Sequence, residues 1–217
     1  EEKIFGDKKP DLVLAQHVLP SLDSGKIGFK PGLYMASSDE IFMTVKGQGG
    51  HGGTPHEIAD TVVIASNIIT TLQQIISRRV DPAVPSVLSF GKFIAPGATN
   101  IIPDTVNIEG TFRTMNEQIR FRAHEDIKKI SRTMAENMGG ECITEIIKGY
   151  PVLFNHEELT RKAMHFTKDY LGEENIERLN IRMTADDFAY FSQKYPSVYY
   201  RLGIKNPSLP TESGLHT

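Results

Sequence analysis

Nowhere does the sequence approach the eighteen or so consecutive apolar residues that a membrane-spanning helix needs, and nothing at its start resembles a signal peptide. It also lacks a basic block: with a net charge of −3 it has no electrostatic footprint for nucleic acid or a membrane surface, so neither is expected as a partner. The single cysteine, Cys142, excludes an intramolecular disulfide framework and fits a reducing compartment, so a cytoplasmic protein is the expectation. Internal repeats and low-complexity tracts are absent. No initiator methionine is present either: the chain opens with EEKIFGDKKPD and stops at SGLHT, as a piece of a longer protein would. What remains is an ordinary globular composition, 39% hydrophobic and 24% charged, in 217 residues, enough for one large domain or two small ones.

The densest local signal is GQGGHGGTPH, residues 47–56, in which glycines surround His51. Glycine serves where backbone turns tightly or comes close to something. A solvated strand-to-helix turn fits these ten residues as well as a functional loop does. Before it, EIFMTVKG (40–47) is rich in strand-forming residues. After it, Ile58, Val62, Ala65, Ile69, Leu72 and Ile76 recur at spacings of three and four, one face of a helix, with Pro55 near its first turn. DPAVP closes that helix. SVLSFGKFIA (86–95) and DTVNIEGTFRT (104–114) are two strands joined by PGATNIIP; in the second, Val106, Ile108, Gly110 and Phe112 alternate with polar residues. A second helix starts after Asn116 as N-cap, buries Ile119, Ala123, Ile127, Ile130 and Met134, and ends at MGG (138–140). ECITEIIKGYP (141–151) is the last strand of the group.

The order β-α-β-β-α-β over residues 40–150 is that of a ferredoxin-like, split-βαβ unit. The flanks look like two pieces of one α/β domain. LVLAQHV and GFKPGLYMAS supply strands on one side. On the other come a helix at about 157–171, a short strand near 176–180, a helix near 185–194 and the strand SVYYRLG. The expected organisation is therefore residues 1–38 and 152–217 as segments of one α/β domain, with residues 39–151 inserted between them.

Several residues could carry chemistry. His17 stands at the exit of an apolar strand, a position where a sheet fixes a ring while its edge stays open; taken alone, a hydrogen-bonded structural histidine is the favoured reading. His216, in SGLHT, shares that ambiguity. Asp186 and Asp187 open a helix, where acids also serve simply as caps. Asn100 lies in a loop between strands, a place asparagine fills routinely in turns. Arg113 ends a strand, from which its guanidinium could fork onto a carboxylate or be solvated.

Taken in order, GQGGHGGTPH, NIIPDTVNIEGTFRT, MTADDFAYF and GLHT resemble the metal-dependent amidohydrolase and exopeptidase family of aminoacylases, hippurate hydrolases, auxin-conjugate hydrolases and carboxypeptidase-G-type enzymes. The resemblance spans essentially the whole chain and is most specific in the glycine-histidine loop and the N-x-I-P-D segment. It implies a catalytic α/β domain that binds one or two divalent ions, most simply zinc, with manganese, cobalt or nickel as alternatives. It implies also a ferredoxin-like lid inserted into that domain and mediating a homodimer. Carried over residue by residue, His17 and His216 would be metal ligands. His51 would stabilise the oxyanion, and Asn100 and Arg113 would hold the substrate carbonyl or its carboxylate. The implied reaction is hydrolysis of the amide of an N-acyl amino acid, with a di- or carboxypeptidase as the alternative within the family. A non-catalytic dimerisation or ligand-binding module is the alternative outside it.

Three departures mark the chain. The family's H-x-C-G-H-D type segment and its paired glutamates, one of them the general base, are absent. The usual continuation after LH is missing, and Asp186-Asp187 stands where the branch has Glu-Asp. On this reading, these residues by themselves hold half of a catalytic apparatus.

Overall fold

The computed structural model describes residues 5–6 and 8–206. In chain order the elements begin with strands β1 (Val13–Asp23), β2 (Ile27–Phe29), β3 (Gly32–Met35), β4 (Asp39–Lys46) and the two-residue β5 (Gly50–His51). Helix α1 (Thr61–Gln74) is followed by β6 (Ser86–Ile94), β7 (Ile101–Ile102), β8 (Thr105–Thr114), helix α2 (Glu117–Asn137) and β9 (Glu141–Lys148). The chain then forms β10 (Leu153–Asn155), α3 (Glu157–Leu171), β11 (Ile176–Arg178), the single-turn α4 (Ala189–Ser192) and β12 (Ser197–Lys205). It divides into two compact units, residues 36–150 and residues 1–35 with 151–217.

The unit of residues 36–150 is a four-stranded antiparallel sheet in the order β6-β8-β4-β9, its strands standing second, third, first and fourth along the chain. Period-two alternation turns Ile41, Met43 and Val45 of β4, and Val106, Ile108 and Phe112 of β8, to one face. There they share a core with Ile64, Ile68 and Leu72 of α1 and Ala123 and Ile127 of α2. Both helices start on side-chain caps. Asp60 Oδ1 accepts from Val62 N and Val63 N, and Asn116 Oδ1 from Gln118 N and Ile119 N.

Both helical stripes are rotated from the sequence expectation. Pro55 belongs to a separate 3₁₀ turn (Pro55–Glu57), so Ile58 precedes α1 instead of lying on it. The buried face of α1 runs Thr61, Ile64, Ala65, Ile68, Leu72, while Val62, Ile69 and Ile76 pack at its margin. In α2, Arg120, His124 and Ser131 are buried beside Ala123 and Ile127, while Ile119, Ile130 and Met134 are only partly covered. Apolar spacing alone cannot find such a face, because the polar members are admitted by partners elsewhere in the unit.

The main partner is Asp39, at the start of β4. Its Oδ2 accepts from Arg120 Nε at 2.8 Å and lies 2.7 Å from His124 Nε2; its Oδ1 accepts from Arg120 Nη2 at 2.5 Å and from Gly149 N at 3.1 Å. Burial alone would push this carboxyl up. The hydrogen bonds from Arg120 and His124, and their charges, outweigh it and hold Asp39 at about 2. With Ser38 N donating to Tyr150 O, the network ties the two ends of this unit's chain together.

The other unit carries a mixed sheet in the order β1-β12-β2-β11, with β1 parallel to β12, β12 antiparallel to β2, and β2 parallel to β11. β3 pairs with β10 beside it. The stretch GFKPGLYMAS, expected as one strand, breaks at Lys30-Pro31: proline has no N–H for a ladder, and Gly32 turns the chain with φ +75°. Tyr34, Met35, Leu153, Phe188, Ala189 and Tyr199 form its core. The helix expected near 185–194 contracts to the single turn of α4.

Candidate active-site residues

The glycine loop after β4 is fastened to the segment before β8. Gly47 N donates to Asp104 O (3.0 Å), Gly49 N to Asp104 Oδ1 (2.8 Å), and Thr61 Oγ1 to Pro103 O (2.6 Å). Gly49 must be glycine here, because a Cβ would stand 2.3 Å from Ile102 O. That close approach lets β5 pair with β7, Gly50 opposite Ile102 and His51 opposite Ile101, and Gly52 N donate to Asn100 O. The two most specific motifs, 49 residues apart, thus become one exposed surface, with the Asn100 side-chain amide 3.4 Å from His51 Nε2. Asp104 is the residue the sequence reading passed over; the aspartate of N-x-I-P-D was its visible signal.

Arg113 is not part of that surface. β8 runs from Thr105 at the loop end to Thr114, so roughly 30 Å of strand, at about 3.3 Å per residue, separates Asp104 from Arg113. Arg113 lies opposite Val87, on the face turned away from α1 and α2. One small substrate cannot touch both His51 and Arg113 of the same chain.

His17 sits in β1, opposite Arg201 of β12, half-buried. Its Nδ1 is 2.9 Å from Val18 O. A carbonyl only accepts, so Nδ1 carries a proton, and in the neutral ring Nε2 then presents the lone pair, the form in which imidazole binds a metal. His216 lies outside the described residues. Among the described residues no group of three or more histidine, cysteine, aspartate or glutamate side chains converges to hold a metal ion.

Asp186 and Asp187 do not open a long helix. Asp186 Oδ1 accepts from Phe188 N at 3.0 Å, and its Oδ2 accepts from Tyr199 Oη at 2.5 Å, stapling this loop to β12. Burial, helped by that bond, pushes the Tyr199 hydroxyl well above the ordinary phenol range. Asp186 therefore acts as a structural acceptor, though not as the cap of α4, and Asp187 is exposed.

Comparison with known proteins shows the family. Residues 1–216 match the model of Peptidase family M20/M25/M40. The chain is 36% identical over 218 residues to an N-acetyldiaminopimelate deacetylase of Priestia megaterium, covering 100% of this chain and 56% of that protein. A deacetylase of the same name from Streptococcus sanguinis is 35% identical over 210 residues, covering 95% and 55%. The chain thus spans about half the length of the curated relatives it matches. Among solved structures, a protein of methicillin resistant Staphylococcus aureus assigned as an aminohydrolase superposes with a TM-score of 0.81 at 30% identity, over 92% of this chain and 51% of that one. The Bacillus subtilis YXEP protein, described as a dinuclear metal binding peptidase, shares the fold with a TM-score of 0.71 at 24% identity, over 89% and 48%. The chain belongs to the Peptidase family M20/M25/M40.

Proposed function

We propose that these residues form part of a metal-dependent amidohydrolase that hydrolyses the amide of an N-acyl amino acid, with N-acetyldiaminopimelate as the first substrate to test. The observation that carries this reading is the exposed pairing of His51 with Asn100, which places a ring N–H and an amide where a carbonyl oxygen could be met. The names of the relatives supply the substrate class. A divalent ion, most simply zinc, fits the Nε2 lone pair of His17, with His216 as the second ligand from this chain; when bound it supplies an activated water and a polarised carbonyl. His51 then donates a hydrogen bond to the oxygen on which charge develops, and such a donor is typically worth 10²–10³ in kcat. Arg113 suits a free carboxylate, since its fork binds both oxygens.

We read residues 36–150 as the lid, and the length of β8 between Asp104 and Arg113 favours two subunits sharing each site. His51 with Asn100 would serve the neighbour's site, in a homodimer whose lids pair at a sheet edge. The test uses the full-length enzyme carrying either His51→Ala or His17→Ala, each expected to be nearly inactive on N-acetyldiaminopimelate. Refolding the two together makes mixed dimers, in which one site keeps both an intact ligand set and an intact His51. Activity then returns in part. If mixed dimers form and stay as inactive as their parents, His51 does not act across the interface. A panel of hippurate, other N-acyl amino acids and dipeptides separates the amidohydrolase from a peptidase.

A further inference from the structure

The backbone holds His17 and His51 in opposite tautomers. His17 Nδ1 faces a carbonyl oxygen, which only accepts. His51 Nδ1 faces Gly53 N, which only donates, at 3.0 Å. The lone pair of His51 is therefore on Nδ1, and the ring hydrogen is on Nε2, the atom turned toward Asn100.

Gly53 has no conformational reason to be glycine, since its φ is not among the positive ones. A Cβ at position 53 would stand 3.0 Å from both Cε1 and Nδ1 of His51, so a side chain there would need the ring to give by a few tenths of an ångström, while the backbone N–H stays. The loop is closed around this contact, with Thr54 N donating to His51 O at 2.9 Å and Gly52 N to Asn100 O at 2.8 Å. Asn100 Nδ2 is the amide atom nearer His51. A half-turn of that amide exchanges nitrogen and oxygen without changing its shape, and gives Nε2–H an acceptor while no substrate is present.

We propose that Gly53 is a positioning residue for catalysis: its N–H fixes His51 as the Nε2–H tautomer, and Asn100 keeps that N–H aimed until a substrate oxygen takes it. A neutral ring can donate from only one nitrogen, so the wrong tautomer would present a lone pair to a developing oxyanion and repel it. The inference rests on the reading of His51 as the oxyanion donor.

Its first test needs no substitution. In full-length enzyme with ¹⁵N-labelled histidine, the His51 ring, assigned by its loss in His51→Gln, should show a protonated Nε2 and a bare Nδ1. Gly53→Pro, which removes the N–H, should lower kcat at least about tenfold with little change in KM, and Gly53→Ala, which keeps the N–H, should lower it less. His51→Gln, whose amide N–H₂ reaches the Nε2 position, should retain more activity than His51→Asn, whose amide stops at the Nδ1 position. Melting curves confirm that each variant is folded. A His51 ring protonated on Nδ1 in the unmodified enzyme, or a folded Gly53→Pro with unchanged kcat, overturns the role of Gly53 while His51→Ala stays inactive. Full activity in His51→Ala overturns the underlying reading of His51, and this inference with it.

Discussion

The two units solve the problem of burial differently. Residues 36–150 enclose a single core of seventeen buried residues between one sheet face and two helices. Among the described residues, the unit of residues 1–35 and 151–217 gathers six into its cluster, although its sheet also has four strands. Leu14 and Val18 of β1, and Leu12 just before it, have exposed side chains, Leu14 to 57%. On α3, Phe166 and Tyr170 are exposed to 69% and 88%. A sheet buries apolar surface only where a second layer covers it. The first unit brings its own layer in α1 and α2; the second covers its sheet only in part among the described residues, in a chain that spans about half the length of its curated relatives. The difference teaches that the unit of residues 36–150 covers one face of its sheet with helices from its own segment of the chain.

Four measurements would break or sharpen that contrast. The largest effect is expected from Asp39→Ala, which leaves the buried Arg120 guanidinium without its counter-charge; losing one partner of a buried pair costs about 3–5 kcal/mol, read from urea or guanidinium unfolding. A loss near zero would mean that the network is not what closes this unit. Leu72→Ala, fully buried on α1, should cost roughly 2–5 kcal/mol in the same assay. A loss below about half a kcal/mol would place Leu72 on the surface.

The third effect is acid destabilisation. Asp39 is held at about 2, below its ordinary 3.8, so its contribution is fully present above pH 3.8 and is lost as pH falls from there through 2. The amount is about 2 kcal/mol, and Asp39→Asn should flatten this part of the stability curve. The smallest effect belongs to the open unit: Leu14→Ala should change stability by less than about half a kcal/mol. A loss as large as that of Leu72→Ala would show that β1 is covered in solution, and the contrast would dissolve.

Much of the closed unit was legible because its cues are local. Asn116 reads as an N-cap from its own position, and β8 reads as a strand from its alternation. The helices themselves were legible, but their rotation was not. Arg120 and His124 look like solvated residues until Asp39, some eighty positions earlier, is placed beneath them. In the other unit the signals were weaker: three-residue strands such as β2 and β11 leave almost no period, and the turn at Pro31 hid inside an apolar run.

The sequence by itself determined the types of chemistry available: a histidine among glycines, an asparagine in N-x-I-P-D, a histidine at a strand exit. Local order along the chain also set most element boundaries, since caps, turns and periodicity act over a few residues. Only the tertiary structure decided that His51 meets Asn100 and that Arg113 does not join them. Strand pairing bridges any sequence distance, while a single strand holds its two ends apart. It also decided which nitrogen each ring offers. His17 and His51 are the same side chain, and the backbone group within hydrogen-bond reach of Nδ1, an acceptor at one and a donor at the other, makes them chemically opposite.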